Sequence, residues 1–254
     1  MRFAQALARI GDRIITFLAS VLVLCMLLYG GYSIWDMWNT SQGAFISSEL
    51  LKSKPVVDDM GNEDTSSLYD LKQINDDVRG WLTIDGTNID YPVLQGEDDM
   101  EYVNKDIYGD FSLSGAIFLS AVNAGDFTDR YNIIYGHNVD GGAMFADIFR
   151  FQDQEFFDTH KTGRIYGFDR VYELEIFAVV SVNAYDDIFY RYQREYKSPE
   201  EMQELIDYYP GTAVRSRDVG LTAQDRIFAL STCTSASTYG RLLLLCRVIP
   251  TEAG

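Results

Sequence analysis

The sequence predicts a mainly β domain with short helices, closed into a mixed barrel and preceded by one membrane-spanning helix. Three observations predict it. Short apolar runs bounded by Gly, Asn and Asp recur from Trp81 to Ile249, roughly seven or eight of them, with no regular helical alternation between them. Helical spacing is confined to a few brief segments. Finally, Ile14 to Trp35 (IITFLASVLVLCMLLYGGYSIW) contains no charged side chain.

That apolar stretch is about 22 residues, enough to cross a hydrocarbon core of roughly 30 Å. Arg2, Arg9 and Arg13 precede it against a single Asp12, and Tyr29, Tyr32, Trp35 and Trp38 gather at its far end. The basic flank places residues 1–13 in the cytoplasm, and the aromatics suit an interface. A cleaved signal peptide would have a shorter apolar core followed by a small-x-small site, which is not found here, so 14–35 reads as an uncleaved anchor. Residues 36–64 are polar and mixed and read as an extracellular spacer. Residues 65–254 read as the folded domain.

Leu68, Leu71, Ile74 and Val78 recur at helical spacing, with Thr65 or Ser66 as cap. Trp81–Ile84 and Thr87–Val93 flank Asp85-Gly86, a tight-hairpin signal. The acidic turn Gly96-Glu-Asp-Asp99 reads as a solvated loop rather than a calcium site. Ala116–Ser120 and Tyr131–Tyr135 read as buried strands. Arg164–Tyr166 and Val171–Val182 form a pair around Gly167-Phe-Asp169, with Tyr172, Leu174, Ile176, Ala178 and Val180 on one face. Ser198, Pro199 and Glu201 specify a capped helix whose apolar face is Met202, Leu205, Ile206 and Tyr209, stopped by Pro210-Gly211.

The formal charge of −17 excludes a nucleic-acid partner, which needs a basic surface. The three cysteines, Cys25, Cys233 and Cys246, fit neither a metal-ligand spacing nor a disulfide framework, so no metal and no cofactor are expected.

The last two apolar runs, Ile227–Cys233 and Arg241–Ile249, read as a hairpin across a Ser/Thr/Gly loop. Cys233 and Arg241 then sit at its mouth as cross-strand neighbours, with Cβ atoms about 5 Å apart. Cys246 falls on the face opposite Arg241 and reads as packing. Of the two histidines, His137 follows the strand Tyr131–Tyr135 beside glycines, whereas His160 is flanked by polar residues. Taken singly, Cys233 reads as a small buried hydrophobe, Arg241 as a solvated charge and His137 as a loop residue. Together they are a chemical set: a thiolate nucleophile, an imidazole that exchanges protons near neutral pH, and a guanidinium that holds a carbonyl or an oxyanion.

Ala229-Leu-Ser-Thr-Cys233 followed by Arg241 resembles the Thr-Leu-x-Thr-Cys…Arg signature of sortases. Tyr135-Gly-His137-Asn, with Met144-Phe145 and Glu155-Phe-Phe157, is similar to their catalytic-histidine segment in its class B form. Val78-Arg-Gly-Trp-Leu and Gly86-Thr-Asn-Ile-Asp-Tyr-Pro-Val-Leu-Gln-Gly96 resemble the opening strands of that class, and the capped helix before the Cys strand is a further class B trait. The resemblance spans about residues 68–250. Ala229 departs from it where Thr is usual, at a position with no evident chemical part.

The resemblance implies an eight-stranded sortase-type β-barrel and a membrane-anchored cysteine transpeptidase of Gram-positive type. Cys233 would attack a Thr carbonyl in a C-terminal sorting motif of a secreted protein, and a peptidoglycan-precursor amine would resolve the thioacyl-enzyme. His137 would be general acid and then base, and Arg241 the substrate and oxyanion clamp. Ser231, Thr232 and the segment 183–197 flank Cys233 and are the expected substrate contacts. Two alternatives stay open: a pilin polymerase using a protein lysine, and a non-catalytic, membrane-tethered extracellular binding domain in which the Cys–Arg pair is incidental. An L,D-transpeptidase would carry a His-Gly pair just before its Cys and an Arg two residues after it; Cys233 has neither.

Overall fold

The computed structural model describes residues 2–57, 63–139, 141–190, 198–233 and 239–249. Parts of the expected spacer (58–62), of the groove segment (191–197) and of the Cys-to-Arg loop (234–238) lie outside the described residues. The chain falls into two compact units, Met1–Gln42 and Gly43–Gly254.

The first unit is helical. Helix α1 runs Arg2–Ala44. Its stretch Arg9–Trp35 is long and apolar enough to cross a membrane, about 40 Å at 1.5 Å per residue. Its apolar side chains are open, as at Leu27 and Leu28, 68% and 65% exposed.

The second unit is a closed barrel. Its strands are β1 Val78–Ile84, β2 Asp90–Leu94, β3 Ile117–Leu119, β4 Tyr131–Tyr135, β5 Thr162–Gly167, β6 Val171–Asn183, β7 Ile227–Cys233 and β8 Gly240–Val248. They run in the order β1-β2-β3-β4-β7-β8-β6-β5, and β5 pairs back with β1 to close an eight-membered ring. The β2–β3 and β4–β7 pairs are parallel and the rest antiparallel. A short strand, Ala213–Ser216, adds outside the ring against β6. The short helices are α2 Ser67–Ile74, α3 Gln154–Thr159 and α4 Pro199–Tyr208.

Three apolar layers explain why the strand sequences are so uniformly apolar. Phe228, Leu230, Leu242, Leu244 and Cys246 point into the barrel with Leu82, Val93, Leu119 and Ile134, filling it as small barrels are filled. The alternate residues Ile227, Ala229, Leu243 and Leu245 are also buried, on the outer face, beneath Met202 and Leu205 of α4 and Phe189. Elsewhere Leu68 and Leu71 of α2 cover Trp81, Leu94 and Phe118. A strand buried on both faces loses the alternation that a half-exposed strand shows.

Four expectations change in detail. The single face from Tyr172 to Val180 breaks at a bulge between Ile176 and Ala178. An extra residue there turns the strand, so Tyr172, Leu174 and Ile176 point inward while Ala178 and Val180 join Phe177 beneath α4. The turn after β1 is longer than Asp85-Gly86: Ile84 N–H reaches Ile89 O at 2.9 Å, with Gly86 at φ +74°. Ser66 occupies the α2 cap position without capping the helix through its side chain; Asp64 Oδ1 instead accepts from Ser66 N–H at 2.9 Å. Part of residues 36–64 is not a solvated linker, because Ala44 and Leu50 are buried in the second unit.

Helix α4 carries a complete capping box. Ser198 Oγ accepts from Glu201 N–H at 3.3 Å, and Glu201 Oε2 accepts from Ser198 N–H at 3.4 Å. We expect Ser198→Ala to lower stability by about 1 kcal/mol in chemical denaturation of the full chain; an unchanged midpoint would mean that the cap contributes nothing.

Candidate active site

The site is built by the parallel pairing of β4 with β7. Their register runs from Ile227 opposite Tyr131 to Ser231 opposite Tyr135, and Gly136 N–H donates to Ser231 O at 3.1 Å. Both strands end at the same rim. His137 is two residues beyond Tyr135, and Cys233 is two residues beyond Ser231. On the other side of β7, the antiparallel ladder sets Cys233 opposite Arg241. Three neighbouring strands therefore bring His137, Cys233 and Arg241 to one end of the sheet, where adjacent strands are about 4.8 Å apart.

These strand ends floor a cavity of about 290 Å³. His137, Arg241, Ser231 and Thr232 line it, and Cys233 follows Thr232 directly on β7. Four of the five site residues read from sequence thus line one cavity. The segment 99–103 forms one wall and residues 184–190 the other. Ser231 Oγ and Tyr190 Oη share a hydrogen bond of 2.7 Å. Thr232 is 2% exposed, and its hydroxyl oxygen has no partner. A buried hydroxyl without a partner costs on the order of 1–3 kcal/mol.

Each polar residue has distinct support. His137 Nε2 lies 2.9 Å from the Val103 carbonyl. The main chain of His137 begins a small hairpin, Asn138–Val139 against Ala143–Met144, and its carbonyl accepts from Phe145 N–H at 2.9 Å. That hairpin is pinned from behind by Tyr91, whose hydroxyl accepts from Met144 N–H at 2.9 Å and donates to Ala44 O at 3.2 Å. Burial, then the carboxylates of Asp147 and Asp90, push the Tyr91 phenol up, so it stays a donor. Arg241 Nη1 donates to Gly240 O at 2.9 Å.

Sequence reasoning missed Val103, Met100, Tyr190 and the wall role of Asp99. Tyr190 lies within the expected groove segment, but nothing singles it out from Tyr185 beside it. Asp99 lies in the acidic turn. Its carboxylate accepts from Ala121 N–H at 2.6 Å and from Ser120 Oγ at 3.0 Å, a long-range role with no local signature. Among the described residues, no group of three or more His, Cys, Asp and Glu converges on a metal position. His160 lies outside the cavity, stacked on Phe156 with ring centroids 3.7 Å apart.

Comparisons with known proteins agree with this geometry. No protein-family model matches the chain. Sortase B of Listeria monocytogenes is 30% identical over 231 residues, covering 89% of this chain and 93% of the relative. The structure of Clostridium perfringens sortase B matches with a TM-score of 0.66 at 31% identity, over 72% of this chain and 99% of that one. A Streptococcus pyogenes class B sortase involved in pilus biogenesis matches with a TM-score of 0.63 at 34% identity, over 71% of this chain and 97% of that one. An eight-stranded barrel with a Cys–Arg cross-strand pair is thus that of a cysteine transpeptidase. The chain belongs to the class B sortases.

Cys246 is fully buried inside the barrel, and burial pushes its thiol far above the usual range. We expect iodoacetamide to leave Cys246 unmodified in the native chain and to label it only after denaturation, read by peptide mass spectrometry. Rapid native labelling would contradict its assignment to the core.

Proposed function

We propose that this sortase is anchored in the membrane with its N-terminus in the cytoplasm, and that it joins secreted proteins to the cell wall. Residues 1–13 are cytoplasmic and 14–35 span the bilayer. The catalytic domain lies outside and extends back past residue 65 to include the buried Ala44 and Leu50. The substrate is a C-terminal sorting motif.

The Cys233 thiolate attacks the motif's Thr carbonyl, forming the S–C bond of a tetrahedral intermediate. Arg241 holds the oxyanion, a contribution of a few kcal/mol in such sites. The intermediate collapses to a thioester as the C–N bond breaks, and His137 gives its proton to the leaving amine. A cell-wall peptide amine then attacks the thioester. His137 takes the proton from that amine, and the thiolate leaves. Ser231 and Thr232 hold the motif.

The observation that carries this reading is the row of strand ends: β4 parallel to β7, and Cys233 opposite Arg241 across β7 and β8. A second reading is pilin polymerisation, in which a protein lysine supplies the amine. It is favoured by the likeness to the Streptococcus pyogenes enzyme, itself involved in pilus biogenesis.

The full chain in detergent should cleave members of a fluorogenic peptide library of candidate sorting motifs, and mass spectrometry should trap a thioester on Cys233. Cys233→Ala and His137→Ala should each lower turnover at least 100-fold, with His160→Ala within about twofold of wild type. Undiminished turnover in Cys233→Ala would sink the mechanism. Competition between a cell-wall peptide amine and a lysine-bearing protein for the thioester separates the two acceptors.

Topology has its own test. The chain should stay with membranes through a high-salt wash, and protease added to intact protoplasts should digest the domain. Release by salt, or protection from protease, contradicts the proposed orientation.

A further inference from the structure

The Val103 carbonyl stands 2.9 Å from His137 Nε2. A carbonyl oxygen can only accept, so Nε2 carries the proton, and the lone pair of the neutral ring is on Nδ1. The carbonyl is itself held in place. Val103 ends a single turn, Glu101–Val103. Tyr102 O accepts from Ala116 N–H at 3.0 Å, and Tyr102 Oη donates to Asp77 Oδ2 at 2.7 Å. Glu101 accepts from Glu97 N–H and from Lys105 Nζ, both at 3.0 Å. Asp99 ties the start of the segment to Ala121 N–H at 2.6 Å. Gly115 closes it from behind at φ +58°. A Cβ there would meet Tyr102 O at 2.6 Å and would press on Val103 O as well.

We propose that the Val103 main-chain carbonyl is the orienting group of His137. It fixes the Nε2–H tautomer, so Nδ1 is the nitrogen that exchanges the proton with the nucleophile and the amine. Val103 is a positioning residue here. The inference rests on the catalytic reading of His137 and adds which ring nitrogen acts and what selects it. Asp99, Met100 and Val103 also line the cavity, so a substrate seated there touches the element that holds the ring.

The chain has two histidines, and their hydrogen bonds select opposite tautomers. His160 Nδ1 lies 3.0 Å from both the Phe156 carbonyl and Thr159 Oγ1, whose own proton goes to Glu155 O at 2.8 Å, so His160 carries its proton on Nδ1. Histidine-selective 15N labelling of the full chain in detergent micelles, above the titration range, should show one Nε2–H and one Nδ1–H imidazole. His160→Gln should remove only the second. Gly115→Ala should abolish the Nε2–H preference of His137. It should also lower kcat at least roughly tenfold, with KM for the best-cleaved library peptide within about twofold.

An Nδ1–H or averaged His137 in the wild type overturns the proposal, and that arm decides by itself if Gly115→Ala does not fold. A folded Gly115→Ala with unaltered kcat also overturns it. So does a loss of kcat with the tautomer unchanged. Full activity in His137→Ala would instead overturn the catalytic reading of His137 and leave the tautomer result standing.

Discussion

The site depends on one pairing, that of β4 parallel to β7. Parallel strands end at the same edge of a sheet, so the residues that follow both emerge together. An antiparallel pair would send the chain after Tyr135 to the opposite rim from the chain after Ser231. Because β8 runs antiparallel to β7, it begins where β7 ends, and Arg241 arrives from the third direction. Register matters as much as direction. A slip of one residue in β7 would exchange the buried inner and outer faces, and both faces of this strand are packed. The barrel core and the layer beneath α4 therefore jointly hold the row of His137, Cys233 and Arg241.

The outer position of the site follows from the same packing. A small barrel is filled by its own side chains, leaving no internal room for a peptide. Among the described residues, the outer face of β4, β7 and β8 is covered only in part. Met202 and Leu205 of α4, with Phe189, cover the residues near Ile227 and Ala229. Toward the rim, Tyr190 meets Ser231 and lines the cavity. The bulge in β6 contributes here, since it turns Phe177, Ala178 and Val180 outward to complete that layer.

The histidine is the residue most in need of external bracing, because it sits past the end of its strand. Three contacts supply it: the ladder continuation through Gly136, the Val103 carbonyl against the ring, and the Tyr91 hydroxyl behind the hairpin. Tyr91 also reaches Ala44 O at the end of α1. The part of the chain that leaves the apolar helix is therefore built into the support of the site, and the domain begins well before residue 65.

By itself, the sequence determined the eight barrel strands, the capped α4 and the apolar N-terminal helix, and it nominated the chemical set of His137, Cys233 and Arg241. These follow from local rules: apolar runs between turn residues, a Ser-Pro-x-Glu cap, and scarce reactive side chains at strand ends. Only the tertiary structure decided the rest. Alternation in β6 misled at the bulge because an extra residue leaves no mark in an apolar run. The turn after Asp85 lengthened because Asn88 N–H is claimed by Asp147 Oδ2, 59 residues away, at 2.7 Å. Asp99 looked like a solvated acid and is a wall of the cavity, because its partners Ser120 and Ala121 come from another strand's end. Val103 acts through its carbonyl, which every residue possesses. A main-chain group can be recognised as functional only when the fold sets it against a ring nitrogen.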